Sequence, residues 1–221
     1  MDDTFAFLAP GSDRRAEHQG VEALWEAVLE RLPSQDRATL EPIRVGILDL
    51  SNDAVPFAYT NEGADCVNLT LEIKPDQLEL NLVGWKEGQS DALKDWLQTV
   101  PGERAVNGLP GYEVIAFARE AYKKSPSSKP WWQSESVRQL GSCPAQDFNA
   151  GWVTRMMIGL PAKKTEVKPA FHVRRVWDRE RAAAGAAAFV GEVAAEVERL
   201  LPILREIWGL PRRRKGPREL G

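Results

Sequence analysis

The residues whose types and spacing suit chemistry best are Asp65, Glu72 and Lys74, which follow the pattern D-x6-E-x-K. Carboxylate oxygens are the ligands that Mg²⁺ prefers, so a carboxylate-bound magnesium ion is compatible with this segment. The histidine and cysteine residues do not have the number or spacing that a metal site needs. The chain has only two of each, and Cys66 and Cys143 lack the spacing of a zinc site or a disulfide framework. We therefore assign no metal ligand from the sequence.

This spacing, with Glu26 in a preceding helix, resembles the acidic and E-x-K core of the PD-(D/E)xK nuclease family. The resemblance implies a metal-dependent nuclease in which Asp65 and Glu72 hold a divalent ion and Lys74 orients water or steadies charge. The chain departs from the family pattern because no proline precedes Asp65, and a seven-residue step places the two carboxylates on opposite faces of a straight strand. The interpretation that we favour makes Glu72, Lys74 and Glu79 solvated positions on a hairpin.

That hairpin is the clearest structural signal in the sequence. Apolar and polar residues alternate strictly in residues 67–73 and again in 78–82, on either side of a turn that contains Pro75 and Asp76. An alternation with period two predicts two paired strands, with one face buried and the other facing solvent.

A second group of residues combines positive charge with aromatic rings, which is the chemistry of single-strand nucleic-acid binding. Lysine and arginine reach phosphates, while indole rings stack on bases. The residues are Lys123, Lys124, Lys129, Trp131 and Trp132 in one loop, Lys163, Lys164 and Lys168 in another, and Arg212, Arg213, Arg214 and Lys215 near the C-terminus. The alternative is that the loops are simply solvated and the basic tail keeps the protein in solution.

The remaining patterns predict an α+β fold: an antiparallel or mixed sheet of about six strands covered by helices, with N-terminal helices and a long C-terminal helix. Besides the hairpin, the predicted strands are 43–50, 112–119, 152–160 and 170–177, and the predicted helices are 20–32, a short one from Ser34, 91–100, 134–140 and 178–208. Residues 1–208 are predicted to form a single domain, and 209–221 a disordered basic tail.

The C-terminal helix carries an apolar heptad seam between residues 183 and 207. Such a seam either pairs with a second copy, which gives a homodimer, or packs against the chain's own sheet. We favour the second, because the alanine-rich segment 182–188 permits close approach of backbones. Pro202 predicts a kink or a break in this helix.

The composition of the chain argues against several classes of protein. The chain is 43% apolar and 28% charged, and it has no apolar run of the roughly 20 residues that cross a bilayer. Its acidic N-terminus lacks the features of a secretory signal, so we expect a cytoplasmic protein without a membrane association. Its net charge of −3 does not suit a protein that coats DNA with its whole surface.

No nucleotide- or dinucleotide-binding motif is present, so no cofactor is predicted. We therefore predict a cytosolic accessory or interaction protein, non-catalytic, that engages a protein or nucleic-acid partner. The alternatives are the metal-dependent nuclease described above and a small-ligand pocket between the sheet and the C-terminal helix, lined by tryptophans.

Overall fold

The computed structural model describes residues 3–50, 53–60, 67–84, 87–121, 135–158, 160 and 166–209. It confirms the predicted α+β class, with helices packed against a seven-stranded antiparallel sheet. The strands are β1 (Ile43–Leu50), β2 (Asp53–Thr60), β3 (Asn68–Ile73), β4 (Gln77–Val83), β5 (Tyr112–Ala121), β6 (Glu135–Pro144) and β7 (Glu166–Asp178). Asp53–Thr60 is a strand that the sequence did not predict.

The helices include a long pair near the two ends of the described chain. They are α1 (Arg14–Glu30), α2 (Ser34–Leu40), α3 (Glu87–Leu97), α4 (Val100–Asn107), α5 (Ala150–Ile158), α6 (Arg179–Ala184) and α7 (Ala186–Gly209), with 3-10 helices at Asp3–Leu8 and Ala145–Asp147. None of the helices in the described ranges is long and apolar enough to cross a membrane.

The strand order is β1-β2-β3-β4-β7-β5-β6, and every neighbouring pair is antiparallel. The last strand of the chain, β7, therefore lies between β4 and β5 and joins the hairpin to the second half of the sheet. This insertion places residues from distant parts of the sequence on one surface.

Two predicted elements are wrong in type. In the range 134–140, predicted as a helix, residues 135–140 belong to strand β6, because pairing with β5 overrides local preference. In the range 152–160, predicted as a strand, residues 152–158 belong to helix α5. Trp152 and Val153 of that helix are buried, and Met156 packs against the core. Those positions share one face of a helix rather than one face of a strand.

Helix α4, most of which lies beyond the predicted helix 91–100, was not predicted from the sequence. Thr99 caps this helix by accepting a hydrogen bond from the backbone N–H of Gly102 at 3.0 Å, and Pro101 lies in the first turn, where proline is tolerated. The C-terminal helix breaks at Gly185 and not at Pro202, which lies inside α7. Tertiary packing holds α7 together at that proline, because Leu200 and Leu204 on either side of it are buried.

One side of the sheet forms the hydrophobic core. The inward residues of the hairpin on this side are Leu69, Leu71, Ile73, Leu78, Leu80 and Leu82, and they belong to one cluster with apolar residues of α1, α3 and α7. The heptad seam of α7 is buried within the same chain, as the intramolecular interpretation expected. A homodimer through residues 183–207 stays a prediction, although the buried residues of the seam already pack within the same chain.

Arg179 fastens the hairpin turn to the N-terminal elements. Its side chain is 1% exposed and forms an ion pair with Glu17 at 2.6 Å. The guanidinium also donates hydrogen bonds to the carbonyl oxygens of Phe7, Leu8 and Ala9, at 2.8–2.9 Å, and of Lys74 at 3.0 Å. One buried cation thus joins the first 3-10 helix, α1, α6 and the turn that carries Lys74.

Arg179→Met should lower the free energy of unfolding by about 3–5 kcal/mol, because removing one partner of a buried ion pair leaves a buried charge without its counter-ion. Urea denaturation measures this change. Arg181→Met is the matched control in the same helix, since Arg181 forms only a solvent-exposed pair with Glu192 at 3.4 Å, and it should change stability by less than about 0.5 kcal/mol. Equal effects of the two substitutions would contradict the structural role of Arg179.

Candidate functional site

The β3–β4 hairpin has the predicted pairing, but its polar side does not face solvent. Every residue of β3 is buried, and so is every residue of β4 after Gln77. Glu72 is 3% exposed and Glu79 is 2% exposed. The interpretation of these two residues as solvated positions on a hairpin is therefore wrong.

The register of the strands assembles these polar residues into one surface. Glu72 lies directly opposite Glu79, and Thr70 lies opposite Asn81. Opposed residues of antiparallel strands share a face, and so do alternate residues of one strand. We call this side of the sheet the polar face. Its polar members on β3, β4, β5 and β7 whose side chains are described are Asn68, Thr70, Glu72, Gln77, Glu79, Asn81, Glu113, His172, Arg174 and Asp178.

Glu79 is the most completely paired group on the polar face. Its carboxylate accepts from Lys74 Nζ at 2.7 Å and from Arg174 Nη1 at 2.8 Å. Gln77 also donates to it through Nε2, and Asn81 Nδ2 lies 3.5 Å away. Two cations and two amides therefore surround this carboxylate, and its bonds to the cations are charge-assisted.

Arg174 extends the network across two strands. While Nη1 binds Glu79, its Nε donates to Glu113 Oε1 of β5 at 2.8 Å. Both interactions are charge-assisted, and the guanidinium is less exposed than the Glu113 side chain, which is 30% exposed. Arg174 therefore links the hairpin to the other half of the sheet.

Glu72 has a much weaker cation contact than Glu79. Lys74 Nζ lies 3.7 Å from Glu72 Oε2, about 1 Å further than from Glu79. Burial raises the pKa of Glu72 to about 7, against the opposing charge of Lys74, and the neighbouring carboxylate of Glu79 raises it further. The positive charge of Arg174 lowers the pKa of Glu72. Glu72 can therefore exchange a proton near neutral pH.

Four buried oxygen atoms on the polar face have no hydrogen-bond partner among the described residues. They are Asn68 Oδ1, Thr70 Oγ1, Glu72 Oε1 and Asn81 Oδ1. Buried polar atoms are paired in the great majority of cases, and an unpaired one costs about 1–3 kcal/mol. Four such atoms on one surface, three along β3 and one on β4, therefore mark a place where a bound molecule would gain hydrogen bonds.

Two aromatic rings lie beside this row. Phe57 of β2 is directly opposite Glu72, and Tyr59 is opposite Thr70. The two rings stack with their centroids 5.5 Å apart, and both are only half-buried. The polar face thus has acceptor atoms in the middle and an aromatic edge.

The structure brings together two of the three residues of the predicted nuclease pattern. Glu72 and Lys74 are neighbours on the polar face, whereas Asp65 lies outside the described residues. Within the ranges that the structure describes, no group of three or more histidine, cysteine, aspartate or glutamate residues could hold a metal ion.

The residues that were predicted to contact nucleic acid also lie outside the described ranges. Lys123, Lys124, Lys129, Trp131 and Trp132 fall in an undescribed range, as do Arg212, Arg213, Arg214 and Lys215 of the tail. Lys168 lies in β7, but its side chain is not described.

A small cleft corresponds to the third prediction, a tryptophan-lined pocket near the C-terminal helix. It has a volume of about 330 Å³ and opens between the end of β7 and helices α6 and α7, beside Trp177 and Phe189. Its charged residues Arg181 and Glu192 pair with each other at 3.4 Å. The unpaired, buried acceptors make the polar face the stronger candidate site.

Sequence reasoning missed Asn68, Thr70, Asn81 and Arg174. The signal was present in the residue types of the hairpin, because the polar positions of β3 are asparagine, threonine and glutamate rather than a run of lysine and glutamate. Short amide and hydroxyl side chains suit a buried polar surface better than a solvated one.

Comparison with known proteins adds no further information on the site, since no family model, curated protein or solved structure matches the chain.

The titration of Glu72 predicts a loss of stability as pH rises. Its pKa is 4.5 without the influence of the fold and about 7 within it, so the folded state binds more protons between those values. The contribution of this group to the free energy of unfolding should be fully present below pH 4.5 and fall by on the order of 3 kcal/mol by pH 7. Urea denaturation at a series of pH values measures this slope.

The difference between the wild type and Glu72→Gln isolates the contribution of Glu72, because glutamine does not titrate. The slope between those pH values should become shallower in this variant. Glu113→Gln is the matched control on the same face, since Glu113 is partly exposed and pairs with Arg174 at 2.8 Å, and it should leave the slope in place. An unchanged slope in Glu72→Gln would contradict the assignment.

Proposed function

We propose that this chain binds a small organic ligand, rich in hydrogen-bond donors, on the polar face of its sheet. The observation that carries the proposal is the row of four buried acceptor atoms without partners among the described residues. Three of them are carbonyl or carboxyl oxygens, and the fourth is the hydroxyl of Thr70. A ligand that presents N–H or O–H groups would satisfy all four.

The spacing of the acceptors favours an extended molecule over a single ion. Asn68, Thr70 and Glu72 alternate along β3, and each step of two residues covers about 6.6 Å, so the row extends about 13 Å along the strand. A bound calcium ion needs its oxygen ligands within about 2.6 Å. Acceptors at this spacing suit a ligand with several donors along its length.

The charges of the site also favour an organic ligand over a metal ion. Lys74 and Arg174 already neutralise Glu79, which leaves little negative charge for a divalent metal. The stacked rings of Phe57 and Tyr59 offer an apolar surface to the carbon skeleton of a ligand. Small-ligand sites commonly combine such a surface with a few placed polar groups. The combination supports an organic ligand.

Glu72 would give such a site the capacity for acid–base chemistry, because a carboxyl group with a pKa near 7 both accepts and donates a proton at neutral pH. The proposal requires binding alone, and catalysis would be an extension of it. The predicted protein or nucleic-acid partner, cytoplasmic location and metal-dependent nuclease stay predictions. The partner and nuclease predictions depend on residues outside the described ranges.

A matched pair of threonine substitutions tests whether the acceptors serve binding. Thr70→Val removes an unpaired buried hydroxyl and should raise the free energy of unfolding by about 1 kcal/mol. Thr60→Val is the control, since Thr60 is equally buried on the neighbouring strand but accepts a hydrogen bond from the N–H of Leu69 at 3.2 Å. It should lower stability by about 1–3 kcal/mol.

The same variants should separate stability from binding. Sorbitol and 1-amino-1-deoxysorbitol are suitable probes, because both are linear and carry donors along their length. Addition of these probes should shift the amide NMR signals of β3, β4 and β7. Thr70→Val should weaken the effect about tenfold, the usual contribution of one hydrogen bond, while Thr60→Val should retain it. If neither probe shifts these signals, or if Thr70→Val costs as much stability as Thr60→Val, the proposal is wrong.

A further inference from the structure

We propose that the ligand of the polar face is an organic monocation whose ammonium group binds between Glu72 and the aromatic edge. This inference rests on the proposed function, because it names the chemical class of the same ligand. It follows from the charges of the described side chains, from the position of the unpaired acceptors and from the aromatic rings beside them.

When Glu72 is ionised, the described charges of the polar face are one positive charge short. Glu72, Glu79 and Glu113 supply three carboxylates, while Lys74 and Arg174 supply two cations. Burial makes an uncompensated charge expensive, so a bound cation would be favoured where the imbalance lies. Two more charged groups, Arg44 and Asp178, share this side of the sheet but are exposed, and solvent screens them.

The imbalance lies at Glu72. Glu79 and Glu113 each have a cation within 2.8 Å, whereas the cation nearest Glu72 is 3.7 Å away and closer to Glu79. Glu72 Oε1 has no partner in the described part of the chain, although the residue is 3% exposed. A positive group placed at this oxygen would complete the charge of the face.

Glu72 and the next acceptors along the face suit an ammonium group that is attached to a donor-rich skeleton. The ammonium group would contact Glu72, while the unpaired Thr70 Oγ1 and Asn81 Oδ1, on directly opposed residues one two-residue step away, would accept from the hydroxyl groups beside it. Phe57 lies opposite Glu72 on β2 and stacks on Tyr59, so an aromatic surface borders the site. Cations bind favourably over such ring faces.

Binding of a cation should be coupled to the release of a proton. Glu72 has a pKa of about 7, with Lys74, Glu79 and Arg174 as the charged groups that act on it. Tyr59 faces the same region from β2, and His172 lies further along the face, opposite Val83. An ammonium ligand binds the ionised carboxylate, so its affinity should increase as Glu72 loses its proton.

The test compares 1-amino-1-deoxysorbitol with sorbitol, which have the same length and differ in one ammonium group. Calorimetric titrations at pH 8 should show the amine binding about tenfold tighter, or more, than the neutral polyol. At pH 6 the amine should bind about tenfold more weakly than at pH 8, because most of Glu72 is then protonated. Its binding at pH 6 should release a proton, detected as a dependence of the measured heat on the buffer.

Two variants sharpen the comparison. Glu72→Gln keeps the shape of the site but removes its titrating charge, so it should abolish both the preference for the amine and the pH dependence while sorbitol still binds. Glu192→Gln should retain both, because Glu192 lies on α7, away from the polar face, and its exposed carboxylate pairs with Arg181 at 3.4 Å. A folded Glu72→Gln protein that still prefers the amine would overturn the inference.

The outcomes separate this inference from the proposed function. Equal binding of the two probes, at both pH values, would overturn the monocation and leave the donor-rich ligand in place. Failure of both probes to bind would contradict the proposed function and this inference with it. A preference for the amine that does not change with pH would show that its contact is not with Glu72, and would also overturn the inference.

Discussion

The buried carboxylate of Glu79 is the interaction on which the rest of the polar face depends. It is 2% exposed, and a charge buried to that degree requires close counter-ions, which Lys74 and Arg174 supply. These partners come from the hairpin and from β7, so the charge requirement of one side chain ties two distant segments together. Arg174 then carries the connection onward to Glu113. Burial raises the pKa of Glu72, and Lys74, which lies closer to Glu79, opposes that rise only in part.

Stability and binding capacity are therefore divided between the two sides of one sheet. The apolar side packs against α1, α3 and α7 in a continuous hydrophobic cluster, which supplies the largest favourable contribution to folding. Arg179 holds the hairpin turn to the N-terminal elements through its backbone hydrogen bonds, and so fixes the position of Lys74. The polar face contributes less, since several of its buried acceptors are unpaired among the described residues. A well-packed opposite side allows the sheet to tolerate that cost.

The alternation of residues 67–82 was sufficient to predict the hairpin and to assign its apolar residues to one side and its polar residues to the other. It could not show that both sides are buried, because alternation reports a difference between two faces and not their exposure. The ion pair of Glu79 with Arg174 spans 95 residues and depends on the insertion of β7 beside β4, a non-local pairing that no local pattern encodes. β6 and α5 were assigned the wrong type because tertiary contacts decide them: β6 pairs with β5, and Trp152 of α5 contacts Phe171 of β7.

The D-x6-E-x-K spacing identified part of the candidate site, although not for the reason that the resemblance to a nuclease family suggested. Glu72 and Lys74 share a face because they are two residues apart on one strand, and that geometry would serve any site that needs a carboxyl group beside a cation. What distinguishes this site is the chemistry around the pair. Asn68, Thr70 and Asn81 offer oxygen atoms over a length that one metal ion cannot bridge. Phe57 and Tyr59 add an aromatic boundary that a hydrated ion would not use. The neighbours of Glu72, more than Glu72 itself, therefore favour an organic ligand.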